Sequence, residues 1–410
     1  MYQNFKMVAT TMFGLEEVLA TELTNLGAQD VEVGVRSVSF VGDKGFMYKA
    51  NIALRTAIRI LKPIKRFRVS DEDDLYKKIQ QIEWERFMTV DSTFAIGAVV
   101  NSKNFTTNSH YISLKSKDAI ADYFRHKYHK RPNVDVKHPD LKIHVHIQKD
   151  LCSISLDSSG DSLHKRGYRN LTNIAPINEV LAAGLVLLSG YSGDCNFIDP
   201  MCGSGTILIE AAMIANNIPA NINRKEFGFE NWEDYDEDLY FKIQEVLLKK
   251  ITNSHFKIMG FDKAPSAVRK AKENVENANL SEFIGVHHIN FFNSAKEVFG
   301  KTTILFNPPY GERLDIDINE FYKNIGDTLK GGYPDSTVWF ITSNKEAIKH
   351  VGLRTSKRIP LKNGDLDCVY VRYDIYEGSR KAKKLKNNNE ADTATDAEIV
   401  EDKKIDKDEL

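Results

Sequence analysis

An α/β fold is predicted by three arrangements in this 410-residue sequence, each an apolar strand that runs into a chemically distinctive turn. In the first, the run 195–198 meets a helical pattern at 206–213 through Asp199-Pro200-Met201-Cys202-Gly203-Ser204-Gly205-Thr206. In the second, a short strand at 257–262 ends in Asp262 and a helical run follows at 266–278. In the third, the strand at 302–306 is closed by Asn307-Pro308-Pro309-Tyr310. Strands that alternate with helices in this way build an open α/β sheet, which binds ligands at the carboxyl ends of its strands.

From the amino terminus, residues 12–26 place Leu15, Val18, Leu19, Leu23 and Leu26 at helical spacing. Strand-like segments at 31–35 and 37–41 then flank a turn, making a small α+β module over 1–45. From 46 to 157, helices at 47–60, 74–82 and 113–129 alternate with strands at 93–100, 142–148 and 151–156, so a second α/β layer follows. Residues 158–378 carry the three turns and form the third domain.

Residues 379–410 read as a charged, disordered extension, since hydrophobicity is low and Asn387-Asn388-Asn389 interrupts any pattern. The last four letters, Lys407-Asp408-Glu409-Leu410, spell an endoplasmic-reticulum retention address. Such an address is read only inside the secretory pathway, and the apolar start at 7–19 is broken by Glu16 and Glu17, so no leader is expected. We expect coincidence, in a tail made largely of Lys, Asp and Glu.

In the first turn, glycine at 203 and 205 lets backbone approach a ligand with no Cβ in the way, and a new helix offers free N–H groups. A dinucleotide site would want the fuller G-x-G-x-x-G. Two glycines after Asp199 and Pro200 suit instead a cofactor without phosphates and with a cationic amino-acid end, although tight packing alone produces similar turns. Asp262 can accept both ribose hydroxyls. The strand at 284–290 ends in Asn290-Phe291-Phe292, where an amide can meet the adenine amino group and a phenyl ring can cover the base; the same rings suit a core.

Two consecutive prolines forbid both a helix and a continuing ladder, so the Asn307 amide and the Pro308 carbonyl are held rigidly at a strand end. An exocyclic amine on a base or amide is a poor nucleophile because its lone pair is delocalised. Two acceptors that hold both N–H hydrogens orient the nitrogen toward a methyl sulfonium, and the proton leaves during or after transfer. Tyr310 would stack on the planar group, and Pro309 fixes its approach. The two turns together read as an S-adenosylmethionine-dependent amino-methyltransferase.

Composition fits a multi-domain globular chain, with 42% apolar and 28% charged residues. No stretch approaches a membrane span, and Cys152, Cys195, Cys202 and Cys368 show no spacing for zinc or a disulfide framework, so a reduced, cytoplasmic setting without metal is expected. Formal net charge is −1, but residues 387–410 hold nine acids and three bases, leaving 53 basic against 48 acidic residues elsewhere, a formal +5. The segment 62–68, with Lys62, Lys65, Arg66 and Arg68, fits a phosphate backbone, as does a solvated face. A second cluster, Lys165, Arg166 and Arg169, sits at the hinge before the last domain and would face an interdomain groove. Ala175 and Pro176 lead into a helix that would pack over the cofactor. Arg313 would pair with a substrate phosphate or with Glu312.

Residues 159–169, Ala175-Pro176-Ile177, the 199–206 turn, 307–314 and 363–368 resemble the bacterial large-subunit (23S) ribosomal RNA methyltransferase family that modifies guanine N2. The likeness reaches the front, in 9–19 and 131–135, and so covers all but the tail. It implies a ferredoxin-like start, a THUMP RNA-binding domain and a Rossmann-like catalytic domain with a mostly parallel, seven-stranded sheet. It also implies that Asn307, Pro308 and Tyr310 meet the target base, with Asp199, Gly203, Gly205 and Asp262 around the donor. Some relatives carry a second methyltransferase behind this one, which this chain ends too early to include. Asn290 departs from the acid that many relatives have there, putting that adenine contact in doubt. A target guanine in folded RNA would have to be flipped or unpaired at a cost of a few kcal/mol.

Two other readings share the catalytic turns. A glutamine-modifying enzyme acting on a translation factor uses the same planar donor but needs no RNA-binding front, and a DNA adenine-N6 enzyme likewise sits poorly with the front half. A non-catalytic RNA-binding assembly factor would have no need of intact cofactor and target turns. A cytosine-5 mechanism would need a nucleophilic Cys beside proline in the target turn, and none is there.

Overall fold

The computed structural model describes residues 3–102, 105, 109–169, 177–309 and 317–376. The front half is one continuous sheet of eight strands: β1 (Phe5–Thr10), β2 (Gln29–Gly34), β3 (Ser37–Gly42), β4 (Arg59–Arg68), β5 (Thr93–Asn101), β6 (Asn133–Val134), β7 (Leu141–Gln148) and β8 (Leu151–Asp157). Their order is β2-β3-β1-β4-β8-β7-β5-β6, so β4 joins the first module to the second. Helices α1 (Glu16–Leu26), α2 (Lys44–Ala53), α3 (Glu72–Gln80) and α4 (Ser109–Tyr128) accompany this sheet.

The helix expected over 47–60 stops at Ala53, and residues 59–68 are a strand. The carboxylate of Glu22 on α1 takes the backbone N–H groups of Arg55 and Thr56, both at 2.9 Å, which removes them from any helical ladder. Ile60 then pairs with Ala9 of β1. Long-range capture thus overrides local periodicity. Asp43 caps α2, accepting from the Phe46 N–H at 2.8 Å, so the helix also starts three residues before the expected position.

The second half is a seven-stranded sheet of order β11-β10-β9-β12-β13-β15-β14. Its strands are β9 (Asn196–Asp199), β10 (Ile258–Asp262), β11 (Ile284–His288), β12 (Thr302–Phe306), β13 (Ser336–Thr342), β14 (Lys357–Asn363) and β15 (Leu366–Ile375). β9 to β13 run parallel and β15 is antiparallel to both neighbours. Helix α5 (Glu179–Ser189) leads into β9, helices α6 (Thr206–Ala215), α8 (Pro265–Asn277) and α9 (Ile318–Gly332) connect successive strands, and α7 (Glu237–Leu248) lies in an excursion between α6 and β10. Near-continuous burial of β9 and β12 matches the apolar runs that a parallel sheet requires.

The two halves share cores. Phe227, Phe229, Trp232, Tyr240 and Leu247 of the excursion belong to the core of the front sheet, with Phe229 stacked 4.4 Å from Tyr48 of α2. In the opposite direction, Leu15 sits in the core of the second sheet against Gly184 of α5. Removing residues 1–157 would therefore expose apolar surface on both sides of the cut.

Candidate active site at the carboxyl ends of the second sheet

From β9 the chain moves to β10 and β11 on one side, then returns to β12 on the other. That reversal opens a crevice at the strands' carboxyl ends, the usual ligand site of open α/β sheets. Asp199 pairs with Gly260 of β10, and Ile198 with Ile304 of β12. The 199–206 turn and the 307–309 turn thus leave neighbouring strands at the same end, and such strands lie about 5 Å apart.

The first turn is tightly determined. Gly203 and Gly205 adopt φ of +56° and +81°, a left-handed conformation that a side chain resists. A Cβ on Gly205 would also lie 3.3 Å from the Ala271 Cβ on α8. The Gly205 N–H donates to the Cys202 carbonyl at 2.8 Å, and the Cys202 N–H to the Phe261 carbonyl at 2.9 Å. Asp262 accepts from the Gly203 N–H at 3.0 Å and from the Ala264 N–H at 2.9 Å, so it orients the turn as well as facing the crevice end of β10. Pro200, Cys202 and Ser204 are buried.

Asn274 on α8 donates to the Ser204 carbonyl at 3.0 Å, a support that sequence reasoning missed. Its signal is a lone amide on the otherwise apolar buried face formed by Ala267, Val268, Ala271 and Val275.

Asp199 is 1% exposed and its carboxylate accepts from the Met201 N–H at 3.1 Å. Burial pushes its carboxyl well above the usual aspartate range and repulsion from Asp262 adds to this, against the opposing Met201 bond. Burial also pushes the Cys202 thiol up, which keeps it protonated and unreactive.

On the target side, Asn307 is half-buried, Pro308 buried and Pro309 half-buried. Tyr310 and Arg313, together with Ala175 and Pro176, lie outside the described residues, as does the tail. Asn290 is exposed and its side chain accepts from the Phe292 N–H at 3.2 Å. Phe291 is a core residue, 2% exposed, its ring 5.9 Å from Phe306 and 5.7 Å from Tyr333. That corrects the expectation of an adenine-covering ring.

The basic residues divide. Lys65 and Arg66 are exposed on β4, and Arg68 is exposed but paired with Asp150. The Lys62 ammonium lies over the rings of Phe5 at 4.7 Å and Trp232 at 5.6 Å, so it is committed inward. Lys165 is exposed and paired with Asp161 at 2.9 Å.

Arg166 is 1% exposed, donating to the Leu163 carbonyl at 2.9 Å, to Asn221 at 3.0 Å, to Glu210 at 3.3 Å and to the Arg55 carbonyl. Arg169 donates to Thr206 Oγ1 at 2.6 Å and to the Ile177 carbonyl at 2.9 Å, with Glu179 at 3.2 Å. The expectation that both guanidinium groups face a groove is corrected: buried acceptors on α5 and α6 capture them. Thr206 is likewise 2% exposed, with its hydroxyl turned to Arg169.

Among the described residues, no group of His, Cys, Asp and Glu side chains could hold a metal, and no helix is long and apolar enough to cross a membrane.

Comparison with known proteins agrees with this architecture. An RMKL-like methyltransferase domain matches residues 166–372, a THUMP domain 69–157 and an RlmL ferredoxin-like domain 6–61. A Synechocystis protein, provisionally named RNA methyltransferase slr0064, is 35% identical over 372 residues, covering 90% of this chain and 96% of its own. The ribosomal RNA large subunit methyltransferase K/L of Buchnera aphidicola is 36% identical over 386 residues, and the match spans 90% of this chain but only 54% of that protein. Among solved structures, SMU.472, provisionally named a methyltransferase and crystallised with S-adenosylhomocysteine, has a TM-score of 0.82 at 30% identity, covering 92% of this chain and all of its own.

The expected fold and the expected cofactor, S-adenosylmethionine, both stand. The two-glycine turn and the rigid proline turn meet at the reversal point between β9 and β12, and the chain belongs to the S-adenosylmethionine-dependent RMKL-like methyltransferase family, with RlmL ferredoxin-like and THUMP domains in front.

Proposed function

We propose that the protein methylates the exocyclic N2 of a guanine in large-subunit (23S) ribosomal RNA. The observation that supports this is the adjacency of the two turns at the reversal point; on this reading the Asn307 amide and the Pro308 carbonyl lie beside the donor. Asn307 and Pro308 hold the two amine hydrogens, Pro309 keeps the turn rigid, and Tyr310 stacks on the base. Asp199, Gly203, Gly205 and Asp262 surround the donor, with Asp199 facing its cationic end. The THUMP domain and the exposed Lys65 and Arg66 hold the RNA backbone, in the cytoplasm. The name of the Buchnera relative supports the ribosomal target, and the RNA-binding front disfavours a translation-factor glutamine as substrate.

Mass-spectrometric nucleoside mapping of ribosomal RNA from cells lacking the protein tests this reading. One N2-methylguanosine should disappear from large-subunit RNA and return on complementation. Loss of a methylated adenine, or no change in the RNA, would overturn it.

Donor affinity is expected to depend on pH through Asp199. Burial raises its carboxyl above 3.8, so in the free enzyme it is protonated up to that raised value and ionising it destabilises the fold as pH rises. A cationic donor favours the ionised form, so the thermal stabilisation given by S-adenosylmethionine should grow as pH rises through the raised range of the Asp199 carboxyl. Asp199→Asn should flatten that rise, and a rise unchanged in the variant would remove Asp199 from the role.

A further inference from the structure

Helix α6 begins at the cofactor turn and is apolar almost all round, yet one face is held by three arginines from outside it. Thr206, in the first turn, accepts from Arg169 at 2.6 Å. Glu210, in the second, accepts from Arg166 at 3.3 Å and from the Tyr168 hydroxyl at 3.0 Å. The Met213 carbonyl, in the third, accepts from Arg55 at 3.1 Å, and Arg55 also reaches the Ile218 carbonyl at 2.8 Å.

Thr206 and Glu210 follow the i, i+4 spacing of a single helix face, and the Met213 backbone carbonyl lies about one turn further on. Arg55 belongs to the front half, just beyond α2, and Arg166 donates to its carbonyl, so the grip is continuous from the front sheet to the donor turn. Arg169 adds a second hold on the neighbouring helix, through Glu179 at the start of α5. The two arginines of the hinge cluster whose charge suggests an RNA surface are thus spent inside the protein, while Lys165 stays exposed.

We infer that Arg169, backed by Tyr168, Arg166 and Arg55, is the positioning residue of the donor site: it fixes the first turn of α6 through Thr206 Oγ1 and so sets the direction of the N–H groups in the glycine turn. The arginine touches neither donor nor base on this account; it acts through α6. The inference rests on the assignment of the 199–206 turn to S-adenosylmethionine. A hydrogen bond to a charged partner, lost where no water can replace it, is worth enough to shift donor affinity about tenfold or more.

The test uses the full chain, titrated with S-adenosylmethionine, with thermal midpoint and affinity for a large-subunit RNA transcript measured in parallel. Arg169→Gln and Thr206→Val should each weaken donor binding by about tenfold or more with RNA affinity unchanged, and the double variant should be no worse than either single. Thr206→Ser keeps the hydroxyl and should restore donor affinity close to that of the unaltered chain. Tyr168→Phe deletes one hydroxyl bond to Glu210 while keeping the ring, and should weaken the donor several-fold even if Arg169→Gln does not fold.

Unchanged donor affinity in Thr206→Val and Tyr168→Phe, or a loss of RNA affinity in place of donor affinity, would overturn the inference. An unaltered chain that binds no S-adenosylmethionine would instead sink the donor assignment, and the grip with it.

Discussion

Asn307→Ala is expected to slow methyl transfer by about 100- to 1000-fold while leaving the affinity for S-adenosylmethionine within about twofold of the unaltered chain. The amide oxygen has its effect only where the amine begins to carry positive charge, as the lone pair leaves the ring system and bonds to the methyl carbon. Its loss therefore falls on the chemical step. On the proposed assignment the donor is held from the neighbouring strand end, β9, by Asp199 and the two-glycine turn, and the substitution leaves those residues untouched. Asn307→Asp offers acceptors on both oxygens and should retain more activity than the alanine variant. Single-turnover assays with equilibrium donor titrations separate the two quantities. Near-normal single-turnover rates in Asn307→Ala would rule out the amine-holding role.

The second large effect concerns stability. Arg166 and Glu210 form an ion pair in which both side chains are fully buried. Arg166→Met is expected to destabilise the protein by about 3–5 kcal/mol, because Glu210 is then left as a buried charge and the Leu163 carbonyl and Asn221 lose their donor. Adding Glu210→Gln removes that charge while retaining an acceptor for the Tyr168 hydroxyl, and should recover part of the loss. Urea unfolding of both variants reads this directly. A loss below about 1 kcal/mol in Arg166→Met would mean that water reaches the pair, as at an exposed ion pair.

The two strand-end turns, 199–206 and 307–309, are legible in the sequence because their chemistry is contiguous. Two glycines between an acid-ended strand and an apolar helix, and two prolines after a strand, constrain the backbone locally and need no knowledge of distant partners. The hinge arginines are not legible for the opposite reason. What decides whether Arg166 and Arg169 face water is the position of Glu210, Glu179 and Thr206, and spacing along the chain does not report it.

The strand at 59–68 was hidden twice over. Its Lys and Arg residues imitate a solvated surface, and the periodicity of 47–60 continues through the point where Glu22 ends the helix. Phe291 shows the limit at single residues, since a strand-end ring suits a base or a core equally until Phe306 and Tyr333 are seen against it.

Residues 227–247 complete the hydrophobic core of the front sheet, whose last strand ends at Asp157. During vectorial synthesis that sheet emerges lacking one wall, and the missing wall is complete only 90 residues later, counting from Asp157 to Leu247. At about 5–20 residues per second the gap lasts about 5–20 s. For that interval the nascent front half presents the Tyr48 side of α2 to solvent, a surface suited to a holdase chaperone, and its folding is completed by chain that belongs to the methyltransferase domain behind it.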